Sequence, residues 1–281
     1  MDTDADRAKV LHDEAQHLEA FLRTLSPADW QRPSRCDQWQ VADVVAHLIE
    51  DRHADRITRG LHGDLTPSGF VPSGTWQTDA WRASVVQHPR ALRRHLGDTL
   101  LATFCAENAH VDTLLTGLQP EEWETLCYHP SGPLTVRAMV TLRLTEVAMH
   151  GWDIRASFDP QASLSEASVR ALVTTIPRVV RRVFRPDATR TRALRYRLHM
   201  TTPLTATMDI LLNAEGASVE SDHPTAAADV ILHCDTATTV LVIFGRLALA
   251  EAIADGRVQV EGRRELASVF GQSFQGSSQQ S

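Results

Sequence analysis

Lysine is almost missing from this chain. Lys9 is the only one, so nearly all of the 28 basic residues are arginines, whose planar guanidinium suits fixed contacts with carboxylates or phosphates better than a mobile ammonium does. A GC-rich coding sequence explains the same bias without any function. A positive excess is missing too: 35 acidic residues against 28 basic give a formal net charge of −7. Nothing electrostatic therefore draws the chain to a phosphate backbone or an anionic membrane surface, and neither nucleic acid nor membrane is expected as a partner. Cysteine is sparse, and Cys36, Cys105, Cys127 and Cys234 form no CxxC pair, which argues against a disulfide framework and a structural zinc knuckle. Long apolar runs are absent: TTVLVIFG falls well short of the roughly 18 residues that span a bilayer. The opening MDTDADRAKV has neither the basic nor the apolar region of a secretory signal, so a cytoplasmic location is expected. No internal repeat is visible at any period.

What is present is enough chain for two domains, 281 residues. Residues 5–25 place Val10, Leu11, Leu18, Phe21 and Leu22 on one helical face. A second helix is expected from Val41 to Gly60, a Gly/Pro-rich loop over 61–78, a third helix opened by Pro89 and running to Leu118, and a fourth over 134–156. Four helices with short connections predict a bundle over 1–158. After about residue 190 the pattern changes to short strands rich in alternating and β-branched residues, RALRYRLHM, LTATMDILL, GASVESD and AADVILHCD, followed by helices and the strand RVQVEG. The fold class expected is thus α followed by α+β: a bundle, a helical linker over 159–190, a smaller α+β domain over 191–275 and a disordered tail over 276–281.

Glu146 and His150 stand four apart on the fourth helix, on one face and within reach of a single ion. Arg143 and Asp153 extend that face by three residues in either direction, as neighbours able to orient ligands. His47 lies in VVAHLIE, where an imidazole among apolar residues needs a buried partner. If the second and fourth helices are neighbours, two imidazoles and a carboxylate converge, a set that zinc accepts with a fourth position open for catalysis. The alternative is a hydrogen-bonded core histidine and a chance Glu-xxx-His. Asp43 fits the first helical turn better than a metal, Asp51 is a weaker alternative ligand, and His53 faces elsewhere. Cys36 reads as a small buried side chain beside Trp39.

The segment Arg32–Leu48, with Cys36, Trp39 and Asp43-Val44-Val45-Ala46-His47-Leu48, and the segment Arg143–Ile154, with Arg143-x-x-Glu146-x-x-x-His150-Gly151-x-Asp153, together resemble the mycothiol-dependent maleylpyruvate isomerase family over roughly residues 5–158. The resemblance implies a DinB-like four-helix bundle followed by a sterol-carrier-like α+β domain. It also implies a divalent metal, zinc, on His47, Glu146 and His150, and mycothiol as thiol cofactor or co-substrate. Family members use arginines for anionic groups, which directs attention to Arg82 and Arg246; both could equally be surface residues. Gln38 departs from the small residue that many relatives carry before the tryptophan. Expected partners are a small-molecule thiol and a small electrophilic substrate, with the oligomeric state left open. The reaction expected first is S-transfer or thiol exchange; the alternatives are cis–trans isomerisation of the maleylpyruvate type and non-enzymatic carriage of an apolar ligand by the second domain.

Overall fold

The computed structural model describes residues 3–72, 78–185, 192–214, 216–220 and 226–274. The chain divides into two compact units, the first ending at Ser163 and the second beginning at Leu164.

The first unit is built on helices α1 (Asp4–Leu22), α2 (Val41–Glu50), α3 (His53–Leu61), α4 (Asp79–Leu96), α5 (Leu100–Gly117) and α6 (Val136–Arg155), with a two-residue ribbon of β1 (Leu126–Cys127) and β2 (Leu134–Thr135) before α6. α2 lies at the centre and packs on α4, α5 and α6, while α1 packs on α5 and α6. Its residues Val41, Val44, Val45, Ala46 and Leu48 are all buried. A helix apolar around most of its circumference is stable only where other helices surround it.

The helices differ from the sequence reading in three places, the third being a break at 97–99 in the helix expected to run from Pro89 to Leu118. The helix expected over Val41–Gly60 breaks after Glu50, where Arg52 takes the left-handed conformation at φ 47°. The break is filled from outside: the fully buried Arg56 pairs with Asp51 at 3.1 Å and donates to the carbonyls of Ser68 and Phe70, while the Phe70 N–H reaches the Glu50 carbonyl. Periodicity continues through Asp51 and Arg52, but these long-range contacts compensate for the interruption. Pro89 does not open the third helix either. α4 begins ten residues earlier, capped by the Thr78 hydroxyl, and carries Pro89 inside it. In the turn that the proline deprives of a donor, the Val86 carbonyl accepts from the Trp39 indole N–H. The segment 97–99 is a tight turn that separates α4 from α5.

The second unit contains a five-stranded sheet of order β5-β4-β3-β6-β7, made of β3 (Leu194–Met200), β4 (Ala206–Leu212), β5 (Ala217–Glu220), β6 (Val230–Cys234) and β7 (Gln259–Gly262). β3 and β6 run parallel, the other neighbours antiparallel. Leu194, Tyr196, Leu198 and Met200 alternate into the core, as the period of a half-buried strand requires. Helices α9 (Thr236–Ile243) and α10 (Leu249–Ala254) lie between β6 and β7, and α11 (Ala267–Ser273) follows β7. Within the stretch expected as a helical linker lie α7 (Glu166–Val173) and α8 (Ile176–Val183), which pack on α9 and β5 and so belong to this unit. The expected tail, 276–281, lies outside the described residues. Among the described residues no helix is long and apolar enough to cross a membrane.

On the polar face of the sheet, Asp209 accepts two bonds from Arg197 and one from Arg195, at 2.8–2.9 Å, and is 3% exposed. Burial pushes its carboxyl up, and the two guanidinium groups outweigh this and hold it below the usual value. A carboxyl lowered in the folded state stabilises at pH above its unfolded value and loses that contribution as pH falls through its folded one. Asp209→Ala should therefore lower stability in urea at neutral pH by about 3 kcal/mol. The gap between variant and parent should narrow below about pH 4.

Candidate metal centre

α2 and α6 carry the candidate ligands. His47 and Glu50 stand one turn apart on α2; Glu146, His150 and Asp153 follow one another along one face of α6. Because the two helices pack together, Glu146 Oε2 comes to 3.3 Å from His47 Nε2 and 3.2 Å from His150 Nε2. All three ligand atoms lie within 4.8 Å of one another, and the imidazole rings meet edge to face with centroids 4.8 Å apart.

The other ring nitrogens point away from this centre. His47 Nδ1 is 2.6 Å from Glu50 Oε1, and His150 Nδ1 is 2.9 Å from Asp153 Oδ2; the two carboxylate side chains are 1% and 0% exposed. A buried carboxylate that accepts the Nδ1–H makes Nε2 the nitrogen that gives up its proton when a cation binds, which is the tautomer that a metal requires. Both histidines thus turn the same ligating atom toward one point and are held from behind by the same chemistry.

Electrostatics give this arrangement a direction. Burial pushes the His47 imidazole down, but Glu146 and Glu50 more than reverse it and hold it well above its ordinary value. Burial pushes Glu146 up, and the His150 and His47 imidazoles overcome that to hold it well below. Glu50 is pushed up to about 7, mainly by burial, against the pull of His47. Three carboxyl groups thus surround two imidazoles, an arrangement that attracts protons or a cation. The donor set of two imidazole nitrogens and one carboxylate oxygen fits a divalent ion. The two nitrogen–oxygen separations, 3.3 and 3.2 Å, are close to the edge of a tetrahedron, about 3.3–3.4 Å for ligand bonds of about 2.0–2.1 Å.

One contributor was legible only as a packing residue. Cys36 is buried, and its Sγ lies 3.0 Å from Asp153 Oδ2 and 3.4 Å from His150 Nδ1. The thiol therefore donates to the carboxylate that orients His150. Cys36 is held there by a tight turn: Ser34 N–H donates to the Trp39 carbonyl, Trp39 N–H to that of Cys36, and Cys36 N–H to the Ser34 hydroxyl. Arg35 ties the turn to the end of α6 through the carbonyls of Asp153 and Ala156. Gln38 sits at φ 67° in this turn, which gives a physical reason why a small residue suits this position: glycine adopts that conformation without a Cβ clash. The Trp39 ring then walls the centre, 5.0 Å from the His47 ring and 6.2 Å from that of His150.

The remaining residues singled out in the sequence are placed differently. Arg143 is fully buried beneath the site and donates to the Leu48 carbonyl and, at 2.8 Å, to Asn108 Oδ1, so it braces α2 against α5. Asp43 caps α2 and pairs with Arg93 at 3.3 Å; Asp51 pairs with Arg56. Arg82 is on the first turn of α4 with its guanidinium on Asp79, both exposed. Arg246 is in the second unit, in the turn after α9 that Gly245 makes at φ 69°. The loop after α3 reaches back toward α2, where the Phe70 ring stacks on His88 at 4.3 Å and His88 Nε2 is 3.8 Å from Glu50 Oε2.

A helical bundle with an inward-facing histidine–carboxylate centre, followed by a sterol-carrier-like α+β unit, defines a two-domain protein of the DinB-like class. A model of the mycothiol maleylpyruvate isomerase N-terminal domain matches residues 11–155, and one of the SCP-2 sterol transfer family matches residues 182–275; the chain belongs to the mycothiol maleylpyruvate isomerase family. Among solved structures, that of a mycothiol-dependent maleylpyruvate isomerase superposes with a TM-score of 0.63 at 14% identity, covering 92% of this chain and 93% of that one. A point mutant of a mycothiol-dependent maleylpyruvate isomerase gives 0.59 over the same shares, again at 14% identity. At this identity the likeness is one of fold. No match was found among curated protein sequences.

If the carboxylates behind the imidazoles set metal affinity, Asp153→Asn should weaken divalent-metal binding about 10–100-fold. Cys36→Ala should weaken it by less than about tenfold, with Cys36→Ser restoring the donor and most of the affinity. Competition with a chromophoric chelator reads all three. Parental affinity in Asp153→Asn would remove the orienting role.

Proposed function

We propose that this chain is a mycothiol-dependent cis–trans isomerase acting on a small, anionic, conjugated substrate of the maleylpyruvate type, in the cytoplasm, with zinc held by His47, Glu146 and His150. The observation that carries the reading is the matched orientation of the two imidazoles, each with Nε2 toward Glu146 and Nδ1 on a buried carboxylate, in a chain of this family. A divalent cation bound there would stabilise a thiolate over a thiol near neutral pH, supplying a nucleophile that adds to a double bond and leaves after rotation about the resulting single bond.

The protein's own residues prepare that chemistry. Glu50 and Asp153 fix the rings before anything binds, which removes an ordering cost from the reacting state. Trp39 keeps water from one side of the centre. Arg82 and Arg246 are assigned to anionic groups of substrate or thiol, Arg82 by exchanging its exposed partner Asp79. Transfer of sulfur to an electrophile, the outcome expected first from the sequence, would start from the same arrangement; the family match weighs towards isomerisation. An apolar hollow in the second unit, lined by Leu198, Val242, Ile243 and Phe270, has ≈ 230 Å³ of space that is partly open to solvent, below the roughly 300 Å³ at which ligand pockets begin, and so lends no support to carriage of an apolar ligand.

Purified parent protein should carry one equivalent of metal in the bundle and isomerise maleylpyruvate only with mycothiol added. His47→Ala and His150→Ala should each lose that metal and at least about a hundredfold in thiol-dependent rate. Equal metal content in all three proteins, or a parental rate that does not depend on the thiol, would overturn the reading.

A further inference from the structure

The polar face of the sheet in the second unit carries another pair of imidazoles. His199 on β3 and His233 on β6 are register partners on neighbouring parallel strands, and their Nδ1 atoms are 3.0 Å apart. Glu261, on β7, places Oε2 at 3.0 Å from His233 Nε2. The carboxylate accepts the Nε2–H and so leaves His233 Nδ1 as a lone pair aimed at His199. This is the device seen behind His47 and His150, with the roles of the two ring nitrogens exchanged.

Two imidazole nitrogens at this distance share either one proton or one cation. For metal–nitrogen bonds of about 2.0–2.1 Å, ligands at a right angle stand about 2.8–3.0 Å apart, and the observed separation falls there. Both rings stem from paired strands, so little chain ordering opposes capture of an ion. The electrostatics are permissive as well. Thr207 and Gln259, the register partners of His199 and His233 on β4 and β7, are uncharged, and the Arg197 guanidinium on the same face is committed to Asp209. His199 is exposed and His233 is partly exposed, so water can complete the coordination.

We infer that His199 and His233 form a second, bidentate site for a divalent transition-metal ion, with Glu261 as the group that orients His233. Among such ions imidazole pairs at right angles favour copper(II) and nickel(II). The site shares no residue with the His47–Glu146–His150 centre and does not depend on it.

Calorimetric titration of the full chain with nickel(II), after chelator treatment, tests this. His199→Ala and His233→Ala should each bind one equivalent fewer than the parent, with circular dichroism unchanged because both substitutions are on the open face of the sheet. Glu261→Gln should keep the stoichiometry and weaken that equivalent about tenfold. The His47→Ala/His150→Ala double variant should retain the equivalent, so loss of the bundle centre and loss of this site are read separately. Parental stoichiometry in either sheet variant would overturn the inference, as would an effect from only one of the two histidines.

Discussion

A carboxylate buried behind each imidazole is the constraint around which the first unit is arranged. An unpaired carboxylate at 0–1% exposure would cost several kcal/mol; Glu50 is bonded to His47, and Asp153 to His150 and the Cys36 thiol. The histidines in turn have one nitrogen left, and the packing of α2 on α6 brings those two nitrogens to the same oxygen of Glu146. Everything around the pairs restrains the helix ends that carry them. Arg56 and the Phe70 backbone close the break after Glu50; Arg35 and the Cys36 thiol hold the last turns of α6; Arg143 ties α2 to α5 from below.

Much of this was readable from residue spacing. An imidazole in the apolar run of α2 and a Glu-xxx-His on α6 identify the three converging groups, because helical spacing fixes which side chains share a face. The orienting carboxylates obey a spacing rule too: Glu50 follows His47 by three residues, as Asp153 follows His150. Asp153 stood out beside a recognised pair, whereas Glu50, beside a lone histidine, was not singled out. Cys36 was beyond reach, since its role depends on a turn that carries it across to α6, more than a hundred residues along the chain. Arg143 shares the ligand face as the spacing implies, and its length carries the guanidinium on to the Leu48 carbonyl and Asn108, partners that spacing does not identify.

The helix boundaries failed for a related reason. A hydrophobic pattern records which residues are buried, not whether the backbone between them is continuous. Asp51 and Arg52 lie in register with the helices on either side, and only the distant partners of Arg56 reveal the break. Pro89 reads locally as a helix start, yet the chain accommodates it within α4. In the second unit the alternation of β3 and β6 identified the strands, but α7 and α8 carry the marks of a connector, and their place depends on contacts with α9 and β5.

The graded exposure of the centre determines how it is approached. Asp153 and Glu50 are sealed, His150 is 7% exposed, His47 16%, and Glu146 28%. Both rings are therefore closed off on the Nδ1 side, and of the three converging groups Glu146 faces solvent most. A cation reaching the imidazoles from that side would meet the carboxylate first, whereas an anion would be repelled by it.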